Sequence, residues 1–90
     1  MPRYVVQRTF PQGFALPPDT AVNAAFGDVI TRNTEHDVTW VHSYVTADKH
    51  GTFCVYDAPS PEAIRTVAGL NELPVDRITE VRVLDPYFYS

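Results

Sequence analysis

The hydrophobic period of this chain switches between about 2 and about 3.6 residues, and the order of the switches leaves few folds open. Arg3 to Phe10 is rich in Tyr, Val and Phe and is stopped by Pro11-Gln12-Gly13, as a short strand is. Pro17-Pro18-Asp19-Thr20 reads as a helix start with Asp19 or Thr20 as N-cap. Val22, Phe26, Val29 and Ile30 then form one helical stripe running to about Arg32. From Val38 the period drops to 2. Trp40, His42 and Tyr44 alternate with Val41, Ser43 and Val45 up to Thr46, and Thr52 to Ala58 is the return strand after the loop Ala47 to Gly51. Ser60-Pro61-Glu62 supplies an N-cap, a first-turn proline and an acid for the helix dipole, so a second helix runs to Gly69–Asn71. Arg77 to Asp85 is the last strand, stopped by Pro86.

The order β-α-β-β-α-β predicts an α+β, ferredoxin-like fold: a four-stranded antiparallel sheet with both helices on one face. At 90 residues it is a single domain, 1–90, with a small core and no internal repeat. Pairing Thr46 with Thr52 is the expected hairpin register. It sets Phe53 opposite Val45, Val55 opposite Ser43, Cys54 opposite Tyr44 and Tyr56 opposite His42. Trp40, His42, Tyr44, Cys54 and Tyr56 then share the face that the helices leave open. A face so aromatic predicts a homodimer joined through or beside it.

Seven Lys+Arg against eleven Asp+Glu give a net charge of −4, which argues against a nucleic-acid partner and against a membrane surface. No apolar run approaches the roughly 18 residues of a spanning helix. One cysteine excludes an internal disulfide. The chain also enters its first strand directly, with no signal-like segment, so a soluble cytoplasmic protein is expected.

His42 facing Cys54 and Tyr56 offers imidazole, thiolate and phenol on adjacent strands. That donor set suits nickel, copper or zinc, and equally a hydrogen-bonded histidine in a packed aromatic face. Glu35-His36-Asp37 before the second strand and Asp48-Lys49-His50 at the hairpin tip combine carboxylate with imidazole on loops. Either group suits an open divalent-metal site completed by water, or a plain solvated turn. The candidate ligands are therefore His42, Asp48, His36, His50 and Cys54. There is no CxxC, HExxH, EF-hand loop or glycine-rich phosphate loop.

Trp40-Val41-His42-Ser43-Tyr44-Val45-Thr46, Asp48-Lys49, Phe53-Cys54-Val55-Tyr56, Ala58-Pro59 and Glu62-Ala63-Ile64-Arg65 resemble one family in particular. So do the opening Met1-Pro2-Arg3-Tyr4-Val5-Val6 and Leu73-Pro74-Val75-Asp76-Arg77-Ile78. Together they look like the small bacterial nickel-binding proteins formerly catalogued as a domain of unknown function. The resemblance implies a ferredoxin-like homodimer that binds nickel ions at its surface and acts in nickel sequestration. His50-Gly51 in the hairpin loop and Glu35-His36-Asp37 depart from that pattern. A different reading is a small dimeric enzyme of cyclase, isomerase or oxygenase type. There His42 would be the acid/base and Tyr44 or Tyr56 the phenol, and a mostly apolar cavity lined by those side chains would mark it. In a third reading Tyr87-Phe88-Tyr89 anchors a protein partner.

Overall fold

The computed structural model describes residues 1–13 and 19–87, with side chains from residue 26 onward in the first helix. The elements are β1 (Arg3–Thr9), α1 (Asp19–Glu35), β2 (Thr39–Val45), β3 (Gly51–Asp57), α2 (Pro61–Leu70) and β4 (Arg77–Val81). The sheet order is β2-β3-β1-β4, with every neighbouring pair antiparallel. This is the expected ferredoxin-like arrangement. Of the segments read from sequence, Pro17-Pro18, the side chain of Val22, and Phe88 to Ser90 lie outside the described residues.

Alternation builds the covered face. Tyr4, Val6 and Arg8 of β1 stand opposite Tyr56, Cys54 and Thr52 of β3, and all six are buried. Ile64 and Val67 of α2 close over them, with Val38 and Ala58 completing the core. Each fully buried aliphatic side chain contributes roughly 1.5–3 kcal/mol. α2 starts as expected: Ser60 is its N-cap, Ser60 Oγ accepts from Ala63 N at 3.2 Å, and Pro61 is its first residue. At its other end Asn71 Nδ2 donates to Oδ1 of the buried Asn33 at 3.3 Å, tying α2 to the end of α1.

Three expectations are corrected. β4 stops at Val81 rather than Asp85. Val81 already pairs with Arg3, where β1 begins, so Val83 and Leu84 have no strand beside them and are exposed. Ile30 is 52% exposed, so it lies off the buried stripe, whereas Phe26 and Val29 turn inward.

The third correction is the hairpin register, which is shifted by one residue. Thr46 closes the loop against Gly51, not against Thr52. Its N–H donates to Gly51 O at 2.9 Å, and its Oγ1 accepts from Gly51 N at 3.0 Å and donates to Asp48 Oδ1 at 2.6 Å. A Cβ at Gly51 would sit 3.3 Å from Thr46 Cγ2, a tight contact that Thr46 would have to yield to by a few tenths of an ångström. Val45 therefore pairs with Thr52, Tyr44 with Phe53, Ser43 with Cys54 and His42 with Val55. A β-bulge at Val41 then shifts the register by one further residue, so that Trp40 pairs with Tyr56, which the expected register had set opposite His42.

Arg3 and Asp57 pair across β1 and β3, Nε to Oδ1 at 2.7 Å and Nη2 to Oδ2 at 3.0 Å. The hydrogen bonds and charge of Arg3 hold the Asp57 carboxyl below its ordinary range. A carboxylate with a lowered folded pKa stabilises above the unfolded pKa, about 3.9, and that contribution fades as pH falls through the folded value. Asp57→Asn is therefore expected to melt below the parent at neutral pH. The gap should close on acidification below about pH 4, followed by thermal denaturation across pH. Ser60→Ala is expected to cost about 1 kcal/mol, seen in denaturant titration.

Candidate functional site

The bulge divides β2 between two environments. Trp40 and Ser43 lie on the covered face, and Trp40 Nε1 donates to Ser43 Oγ at 2.8 Å. Phe26 of α1 meets Trp40 edge-on, with ring centroids 5.2 Å apart. His42 and Tyr44 stand on the open face, their rings also edge-on at 5.0 Å. Phe53 and Val55 of β3 share that face with them. Tyr44 is 63% and Phe53 41% exposed, so the open face is a broad apolar surface carrying a histidine.

The expected constellation of His42 with Cys54 and Tyr56 is thus not assembled. Cys54 and Tyr56 are buried on the opposite side of the sheet, and Cys54 Sγ lies 3.5 Å from Thr52 Oγ1. The same geometry separates His42 and Tyr44 from Tyr56, the three groups of the enzyme reading. His36 follows the end of α1, at the opposite end of β2 from the hairpin. A seven-residue strand at about 3.3 Å per residue puts roughly 20 Å between the two ends.

The hairpin tip does bring donors together. Asp48 Oδ1 accepts from both Thr46 Oγ1 at 2.6 Å and His50 N at 2.9 Å, which leaves Oδ2 without a partner among the described residues. These bonds, that from Thr46 foremost, hold the Asp48 carboxyl below its ordinary range. His50 Nδ1 lies 3.1 Å from the carbonyl oxygen of Phe10. A carbonyl can only accept, so Nδ1 carries the proton and the lone pair of the neutral ring resides on Nε2. A backbone carbonyl fixing one nitrogen while the other stays available is the usual support of a metal-ligating histidine. Among the described residues, no three His, Cys, Asp or Glu side chains converge on one point.

Between α1 and the covered face lies a cavity of about 260 Å³. Its walls include Arg8, Phe26, Trp40, Cys54, Tyr56 and Leu73. Sequence reasoning passed over Arg8, although the signal was present: in Tyr4-Val5-Val6-Gln7-Arg8 the period of 2 puts Arg8 on the same side as Tyr4 and Val6. Burial pushes the Tyr56 phenol above its ordinary range, against a smaller opposing pull from the Arg8 charge, so it is a neutral hydroxyl at physiological pH.

Residues 4–81 match the family described as "Nickel responsive protein SCO4226-like". In structure the chain is similar to SCO4226 from Streptomyces coelicolor A3(2), with a TM-score of 0.71 at 16% identity, covering 92% of this chain and 99% of that one. At that identity the likeness shows the fold. No curated protein matches the chain. Among the described residues no helix is long and apolar enough to cross a membrane.

The split of β2 generates a direct check. Ser43→Ala leaves the Trp40 N–H without its acceptor and is expected to cost about 1 kcal/mol, lowering the melting temperature by roughly 4–8 °C. An unchanged melting temperature and unchanged Trp40 emission would mean that this bond does not hold the bulge.

Proposed function

We propose that this chain, which belongs to the SCO4226-like family of nickel responsive proteins, binds nickel or a closely related divalent ion and sequesters it in the cytoplasm as a homodimer. The observation that carries the reading is the hairpin tip, where His50 Nε2 and Asp48 Oδ2 are the atoms left open by the bonds that fix Nδ1 and Oδ1. Imidazole nitrogen and carboxylate oxygen form a donor set that suits nickel. Two donors make an open site, whose remaining positions fall to water or to a second copy of the chain.

His42 supplies a further imidazole on the apolar open face. A homodimer laid on that face would cover Tyr44 and Phe53, which are otherwise left to solvent. His36 is a separate surface donor at the other end of β2. Cys54, beneath the helices, takes no part in an ion held by His42 or His50.

Native mass spectrometry of metal-stripped protein, titrated with nickel, zinc and cobalt, counts chains and ions together. The expected result is a dimer that takes up discrete nickel ions in preference to the other two. In calorimetric titration His50→Ala is expected to weaken nickel binding by about tenfold or more, and His42→Ala reports whether the open face contributes. Affinity should also fall from about pH 7.5 to about pH 5.5, as protons compete for imidazole. Unchanged stoichiometry and affinity in both variants would remove these histidines from the site.

A further inference from the structure

We propose that the cavity between α1 and the sheet binds a small apolar monocarboxylate, with Arg8 as the group that receives the carboxylate. Arg8 is only 4% exposed, and its Nε has no hydrogen-bond partner among the described residues. Among the described residues the only ion pair is Arg3–Asp57, and Arg3 lies five residues back along β1. A guanidinium does not deprotonate in a protein, so burial leaves it a charge in want of a counter-charge. Its described neighbour is Tyr56, whose ring centroid lies 5.6 Å from Arg8 Cζ. That ring face attracts the cation, but the neutral phenol supplies no negative charge.

The chemistry of the missing partner follows. An anion is required by the charge, and a carboxylate fits the fork of a guanidinium side-on, taking Nε and a terminal nitrogen together. Phe26, Trp40, Tyr56 and Leu73 require the rest of the ligand to be apolar, and their rings favour a planar body. At about 260 Å³ the cavity lies just below the range of drug-sized sites, which limits the ligand to one ring or a small fused system. Arg8 repels cations, so this site is distinct from the proposed metal ligands, none of which but the buried Cys54 lines the cavity.

Trp40 is the only tryptophan and forms part of the wall, so its emission reports occupancy. Metal-stripped protein would be titrated with benzoate and 1-naphthoate, and in parallel with benzamide and 1-naphthamide. The expected result is saturable change in Trp40 emission, with each acid binding at least about tenfold more tightly than its amide. In Arg8→Met the acid should lose that advantage while the amide binds as before. Equal binding of acid and amide to the unmutated protein, or no saturable response to any of the four, would overturn the proposal whether or not the variant folds. Because no metal is present, either outcome leaves the nickel reading untouched.

Discussion

The closure of the β2–β3 loop by Thr46 against Gly51 decides which chemistry each face of the sheet carries. One side chain does three things there: it takes the Gly51 N–H, it donates to Asp48, and its methyl packs close against Gly51. Closing the loop one residue earlier would by itself reverse the inward and outward positions of β2. The extra residue at Val41 absorbs the shift, so Trp40 stays inside while His42 and Tyr44 turn outward. The hydrogen bond from Trp40 to Ser43 spans the bulge and holds both residues on the cavity side.

The fold was legible because its signals are local and redundant. Pro11-Gln12-Gly13, the Ser60-Pro61-Glu62 start and the change of period at Val38 each mark a boundary, and their order admits few topologies. The hairpin faces were less legible, because strict alternation assumes no bulge. Val41 is β-branched and apolar like Val45 of the same strand, so nothing in its type marks it as the extra residue. The grouping of His42 with Cys54 and Tyr56 failed because the loop closes on Gly51 rather than Thr52, which sets His42 opposite Val55, while the bulge returns only Trp40 to the side of Tyr56. Arg8 was missed differently. A basic residue in a strand is ordinarily taken as solvent-facing, and only the burial of Tyr4 and Val6 on the same side shows otherwise.

The two faces now carry opposite chemistry. On the proposed reading, His42 and the His50–Asp48 pair are the outer donors to a cation, beside the exposed Tyr44 and Phe53. Inside, a buried guanidinium and aromatic walls favour an anion with an apolar body and reject a metal ion. If both proposals hold, the single-layer sheet would stand between the cation site and the anion site.

Nuclear magnetic resonance of isotope-labelled protein with substoichiometric nickel tests this separation most directly, because the paramagnetic ion broadens the signals nearest to it. The account predicts that His50, Asp48 and Lys49 broaden first and His42 with them or next, while Tyr4, Ile64 and the Trp40 indole N–H on the covered side stay sharp. Broadening centred on Trp40, Cys54 and Tyr56, with the hairpin tip unaffected, would contradict it.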